Sequence, residues 1–579
     1  MRVSSSTTAT RRASCPALRG PVVVATPRPS RPAGTPSIAA AVGASAVRVS
    51  GSTHAAARPV VRAAQHRRRT QPHAASDAAP TGRPIVSTST VTAPSATSPA
   101  TGAVAPPDAP ARPGAAARVA TIGLPALTAM VVGSMVGAGV FSLPRQFAAH
   151  TGVWGALVAW GVAGLGMLML ALVFQHLAVR EPRLDAGVYS YARAGFGPYP
   201  GFLSAFGYWA SACVGNVTYW ILIMSTLGAL LPALGDGSTL PALVASSVGV
   251  WAFFLLVRRG VREATSVNRV VTIAKVVPIL VFVVLCATVL DLDVLAGNLG
   301  GGLDAGPLTT QVRGTMLATV FVFLGVEGAS VYSRHARRRE DVGRATVLGF
   351  LGVLAVFASV TLVAYGILPR EEIASLAQPS MAGVLEAAVG PWGRVLVSVG
   401  LIVSVLGAYL AWSLMAAEVL HVAAKAGDMP RFLARTGRRG VPTPALLLSA
   451  VLVQVMLVVT TLSYDSFSFA LELTAALSLV PLLLAAAFAV RVGLRTGARG
   501  ELVVAVLATA YTTLLVVAAG WRFALLSFLV YAPATLLYVR ARREQGLRAF
   551  RRVDLAVLAV CVAGAIAAVV ALATGALTL

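Results

Sequence analysis

Gly133-Ser-Met-Val-Gly137-Ala-Gly139-Val-Phe141 is the stretch on which the fold turns. It lies within a long apolar segment, residues 120–143, yet places three glycines in seven residues. A segment of that length can cross a bilayer, which takes about 20 mainly apolar residues of helix. Glycine disfavours helix by about 1 kcal/mol relative to alanine, and a backbone polar group left unpaired in hydrocarbon costs several kcal/mol more. Two arrangements offset that cost. One is close packing of helices through small residues; the other is an interrupted helix whose freed amides and half-helix dipole bind an anion. The glycines alone do not separate them.

A second interruption does. Phe321-Val-Phe-Leu-Gly325-Val-Glu327-Gly328-Ala-Ser330 sits in the apolar segment 311–333, five predicted spans after the first. Corresponding breaks in two halves of a chain mark an inverted repeat with its ligand site at the midplane between the broken helices. The expected fold is an all-α polytopic membrane protein, with helices 1 to 5 and 6 to 10 as repeats and three further helices at the carboxyl end. Residues 119–490 would form the ten-helix core and 491–579 the peripheral helices, after a tail of residues 1–118.

Composition agrees with this reading. Apolar residues make up 56% of the chain and charged residues only 12%, against roughly a quarter charged in soluble domains. Thirteen segments long enough to span a membrane fall between residues 120 and 577. The net charge of +25 would suggest nucleic acid in a soluble protein, but its distribution excludes that partner. The first 118 residues carry 15 arginines against Asp77 and Asp108, and the remaining basic residues cluster in alternate loops. Of these, 26 fall on one side and five on the other, which by the bias of Lys and Arg toward cytoplasmic loops puts the amino terminus inside and, after thirteen spans, the carboxyl terminus outside. The tail is rich in Ala, Pro, Ser, Thr and Arg and is expected to be disordered. Its composition fits an organelle transit peptide or an overextended start in a high-GC bacterial reading frame, and the second is preferred, giving a bacterial inner membrane location. Cys15, Cys213, Cys286 and Cys561 have no paired or metal-like spacing and read as apolar packing residues.

Several runs carry a resemblance: GSMVGAGVFSLP from Gly133 to Pro144, DAGVYSYARAGFG from Asp185 to Gly197, YWASACVGN from Tyr208 to Asn216, FLGVEGASVYS from Phe323 to Ser333, and AWSLMAAEVLHVAAKAGDMP from Ala411 to Pro430. Over about residues 119–500 the chain resembles the amino acid-polyamine-organocation superfamily, and within it the basic amino acid antiporters of the arginine/ornithine type. The resemblance implies that the amides of Ala138 and Gly139, beside Gly137, bind the substrate carboxylate and that carbonyls near Met135 take its amino group. It likewise implies an aromatic lid at Phe321, where related exchangers have tryptophan, a distal contact at Asn216, an aromatic wall at Trp412, and Tyr208 and Leu324 in the same shell. Ala138 stands where arginine/agmatine exchangers carry serine, so only a backbone contact carries over there.

Lys275, Glu327, Glu418 and Glu472 fall inside predicted spans, where an ionisable group costs a few kcal/mol unless it faces the bundle interior with a partner. Glu327 would tie the unwound backbone together or relay a proton. Lys275 would replace, beside helix 1, the sodium ion of other relatives. Glu418 would pair with a loop arginine, and Glu472 would select a cationic substrate. Trp154, Trp209, Trp220 and Trp392 read as interfacial or packing aromatics. The expected function is exchange of external arginine for internal ornithine, electroneutral because both are cations, with a proton-coupled permease for lysine or another amino acid, or less favourably a transporter-like receptor, as the alternatives. An integral membrane enzyme would need clustered His, Asp or Cys at one face, which the sequence lacks. Nothing calls for a cofactor or metal; the partners are basic amino acids and the bilayer, with a homodimer left open.

Overall fold

Proline in the first turn starts many of the helices: Pro125, Pro198, Pro241, Pro391 and Pro444 all stand there, where the missing N–H would have had no intrahelical partner. The computed structural model describes residues 123–184, 187–260, 265–300, 306–327, 339–437 and 440–577. The predicted tail 1–118 and the run after Glu327 from Gly328 to residue 338 lie outside the described residues.

The helices run in this order: α1 (Leu124–Met135), α2 (Leu143–Ala148), α3 (Val153–Arg180), α4 (Val188–Phe196), α5 (Pro198–Gly228), α6 (Leu240–Arg258), α7 (Thr265–Thr288), α8 (Leu292–Gly297) and α9 (Leu308–Phe323). Then follow α10 (Arg339–Ala364), α11 (Arg370–Ser375), α12 (Ser380–Val389), α13 (Pro391–Lys425), α14 (Thr443–Thr460), α15 (Ser466–Thr496), α16 (Arg499–Ala518), α17 (Gly520–Arg543) and α18 (Arg552–Ala573). Among the described residues there is no strand.

Each of the thirteen predicted segments coincides with a helix. Ten are long and apolar enough to cross a membrane, and the bent pair Leu127–Met135 and Gly139–Ala148 makes an eleventh. The remaining two are α7, whose described apolar part is Lys275–Thr288, and α9, which stops after 16 residues at its break.

Burial ranks the helices. α5 is almost wholly enclosed, packed by α13, α14 and α15, whereas α18 leans on α17 and leaves most of its surface to the membrane. Trp209 and Trp220 are buried, and Trp154 and Trp392 are exposed, so the four tryptophans divide between packing and interface. Cys213, Cys286 and Cys561 are buried free thiols.

Polar ties hold both ends of the bundle. At one end Arg145 of α2 meets Asp465, the N-cap of α15, at 2.9 Å, and Gln146 donates to Ser468 Oγ at 2.8 Å. At the other end Asp428 is fully buried, with Arg193 Nε at 2.8 Å and Tyr189 donating at 2.8 Å. Burial lifts the Asp428 carboxyl above the usual carboxylate range, against the opposing pull of Arg193 and Tyr189. Burial likewise raises the Tyr189 hydroxyl. Gln545, after α17, donates to Gly427 O on the same loop.

Candidate substrate-binding site

The first broken helix stops at Met135. Val136 is extended and its N–H still reaches Val132 O at 2.9 Å, residues 136–138 are non-helical, and a 3₁₀ turn from Gly139 to Ser142 leads into α2. The two halves meet at 47°. At the second interruption α9 ends at Phe323 and Gly325 takes φ +108°, a backbone conformation open to glycine but strained for other residues.

The breaks touch each other. A methyl group on Gly325 would lie 2.3 Å from Ser134 O, and one on Gly139 would lie 2.6 Å from Val322 Cγ1 and 2.9 Å from the Phe321 ring. Ser134 Oγ shares its one hydrogen between Val131 O at 2.7 Å and Gly325 O at 3.0 Å, so one break reaches a carbonyl of the other. Gly139 and Gly325 are therefore glycines for want of room. Gly137 is less confined, since a methyl there would meet only the Tyr219 hydroxyl at 3.3 Å.

Around this contact lies a cavity of about 20 Å³, lined by Met135, Gly137, Ala138, Gly139, Phe321, Leu324 and Trp412, together with Ser134, Val140, Ser211, Ala212, Gly215, Tyr219, Val322 and Thr474. That volume holds about one water. Anything as large as an amino acid enters only after the aromatic walls Phe321, Tyr219 and Trp412 move apart.

The intramembrane charges bracket the breaks. Tyr208 Oη donates to Glu327 Oε1 at 2.5 Å, and the Gly325 N–H donates to both oxygens of the same carboxylate at 3.2 and 3.1 Å. Glu327 thus ties the unwound backbone to α5. The Tyr208 ring lies 6.2 Å from that of Trp412. Buried Lys275 donates from Nζ to Gly133 O at 3.4 Å, in the last turn of α1. Aromatic packing couples the breaks further: Phe147 of α2 stacks on Trp160 at 4.9 Å, and Trp160 meets Phe323 edge-on at 6.0 Å.

A sequence model of the amino acid permease family matches residues 122–539, both breaks included. The chain belongs to this family. This amino acid permease is 45% identical over 476 residues to the arginine/ornithine antiporter of Pseudomonas aeruginosa, covering 79% of the present chain and 98% of the other. It is 38% identical over 496 residues to the L-lysine transport protein of Corynebacterium glutamicum, covering 80% and 98%. Against the arginine/ornithine antiporter of Latilactobacillus sakei the identity is 36% over 437 residues, covering 74% and 92%.

Three sequence-predicted binding residues of the permease stand apart from the cavity lining: Tyr208, which holds Glu327 instead, Asn216 and Glu472. Asn216 turns toward a second small cavity with Tyr409 and Ser413. It follows Gly215 by one residue, about 100° round the helix. Its Nδ2 donates to Ser413 Oγ at 3.2 Å, while its buried Oδ1 has no hydrogen-bond partner. Glu472 is half-buried and absent from the lining; the charges acting on it are Arg522 and Asp465. Thr474 of the same helix faces the cavity instead, and positions two apart on a helix do not share a face. Glu418 is exposed and makes no ion pair among the described residues, and the loop arginines Arg438 and Arg439 lie outside them.

The wall residues missed in the sequence are Ser134, Val140, Val322, Ser211, Ala212, Gly215, Tyr219 and Thr474. Those on α5 carried a readable signal. Tyr208, Ser211, Ala212, Gly215 and Tyr219 repeat at three- and four-residue steps and therefore share one face.

Proposed function

We propose that the chain exchanges arginine for ornithine by alternating access, with the two contacting breaks holding the amino acid head that both substrates share. The observation that carries this reading is the contact between the two breaks, which sets Met135, Gly137, Ala138, Gly139, Phe321 and Leu324 around one cavity. Asn216 faces the adjacent small cavity, and a distal guanidinium or ammonium that reaches past Gly215 satisfies its orphaned Oδ1, an unmet acceptor costing about 1–3 kcal/mol. The amides of Ala138 and Gly139 open the second half of helix 1, where the first N–H groups have no intrahelical partner, and receive the carboxylate. Carbonyls near Met135 take the amino group. Phe321, Leu324 and Trp412 close over the substrate, and Tyr208 with Glu327 holds the break in register. The names of the relatives from Pseudomonas aeruginosa and Latilactobacillus sakei support the substrate pair.

In this reading residues 119–490 form the core, as two five-helix repeats of inverted topology; residues 491–579 are peripheral, and the amino terminus is cytoplasmic in the inner membrane of a bacterium. The test is uptake of labelled arginine into proteoliposomes loaded with ornithine or left empty. Exchange requires uptake only in the loaded vesicles, and equal rates in both rule it out.

A second reading, a proton-coupled permease for lysine, draws on two observations. Lys275 places a titratable cation against the Gly133 carbonyl, and the Corynebacterium glutamicum relative is named as a lysine transporter. It expects labelled lysine to enter empty vesicles when an inward proton gradient is imposed.

A further inference from the structure

Away from the breaks, a crevice of about 770 Å³ lies between α3, α9, α16 and α17. Its walls are apolar, with Val162, Met316, Leu514 and Val517 among them. It lies at the end of the bundle where α3, α9 and α17 begin and α16 stops, so it opens sideways into one leaflet rather than toward the substrate cavity. Val517 and Trp521 are 68% and 58% exposed; on a membrane protein those surfaces face lipid.

Two features mark the crevice as more than a gap between helices. Arg313 lines it, in the second turn of α9, which leaves its guanidinium within reach of the headgroup layer. That guanidinium is exposed, donates from Nε to Ala518 O at 3.3 Å, lies beside Gly520, and enters no ion pair among the described residues. Trp521 also lines the crevice, in the first turn of α17, the position where indoles settle at a membrane interface.

We infer that the crevice is a phospholipid site that takes one acyl chain between α9 and α16 and holds an anionic headgroup against Arg313. An apolar slot with one unpaired cation at its mouth matches the chemistry of an anionic lipid at both ends. A zwitterionic lipid matches only the slot. The bound chain wedges α9, whose other end carries Phe321 and the break, so the site links bilayer composition to the motion that opens the substrate cavity.

The experiment uses the full chain in proteoliposomes and reads quenching of Trp521 fluorescence by brominated lipids, with Trp521→Phe as the subtracted background. Brominated phosphatidylglycerol should reach half-maximal quenching at about fivefold lower mole fraction than brominated phosphatidylcholine, the preference one arginine gives an anionic headgroup. Arg313→Gln should abolish the preference while leaving quenching by the zwitterionic lipid unchanged, and Arg313→Lys should keep most of it. Added inorganic phosphate should not compete, because it lacks the chain. Equal quenching by both lipids in the unmodified chain, or a preference that survives Arg313→Gln, overturns the site. Absence of quenching by either lipid also overturns it, since the crevice is then filled by protein. The Trp521 signal does not depend on transport, so it stands or falls apart from the exchange reading.

Discussion

Gly139 and Asn216 show the site at the scale of single residues. Gly139 lets the two broken helices touch, and a side chain there collides with Val322 and Phe321. Gly139→Ala should therefore lower arginine uptake in proteoliposomes by about tenfold or more, because overpacking a close contact costs about 1–3 kcal/mol in the very element that must move. Gly161→Ala is the control: a methyl there meets nothing within 4 Å, so uptake should stay unchanged. Equal effects of the two would mean that helix propensity, not the contact, matters. Asn216 tests recognition of the distal end. Asn216→Ala should raise the KM for arginine by roughly tenfold with the maximal rate nearly kept, as expected for loss of a hydrogen bond to a charged group worth about 1.5–3 kcal/mol. An unchanged KM would remove Asn216 from the site. The glycines were legible in the sequence because their cost in a membrane helix demands a reason. The direction of Asn216 was not, since one residue along a helix turns a side chain by about 100°.

Whole elements are held by ties that the substrate does not touch. The loop after α13 carries Asp428, fully enclosed against Arg193 and Tyr189 of α4. Its carboxyl is raised by burial, and the sign of the pH effect follows from that. A carboxyl with a folded pKa above its unfolded one adds stability that is complete below the unfolded value, near pH 4, and that fades as pH climbs through the folded one. Asp428→Asn has no such titration. The melting temperature of the unmodified protein minus that of Asp428→Asn should thus decline as pH rises from about 4, and a flat difference would show that Arg193 offsets the effect of burial. The breaks themselves belong to this scale. Glycine spacing located both, but the bond from Ser134 to Gly325 O and the clamp of Glu327 on the Gly325 N–H join groups far apart in the chain, and no local pattern encodes which carbonyl a hydroxyl will find.

Across the whole molecule, burial falls from α5 outward to α18, and the substrate cavity sits among the most buried helices. This organisation predicts that the first 117 residues contribute nothing to exchange. A chain beginning at Arg118 should take up arginine into ornithine-loaded vesicles at the rate of the full chain, after correction for the amount inserted. A severalfold loss would assign the tail a part in the cycle. The charge on Glu472 also belongs here. Its acidity and depth suggested a counter-ion for substrate, yet it stands with Arg522 and Asp465 while Thr474 faces the cavity. Sequence position within a span reports depth; it does not report which neighbouring helix a given face meets.

By itself the sequence determined that the chain is a multi-pass all-helical membrane protein, where its helices lie, that the first span breaks at glycines and that α9 stops beside one. Those properties follow from local physics: apolar length sets a span, and unsatisfied backbone in hydrocarbon makes each break conspicuous. Only the tertiary structure decided that the breaks touch, that Ser211, Tyr219 and Thr474 join the wall while Asn216 and Glu472 turn from it, and that a lipid-facing crevice with Arg313 at its mouth lies beside α9. Those properties depend on how helices distant in the chain are rotated against one another. Almost every residue in such a helix is apolar, so hydrophobic pattern leaves that rotation unspecified and packing fixes it.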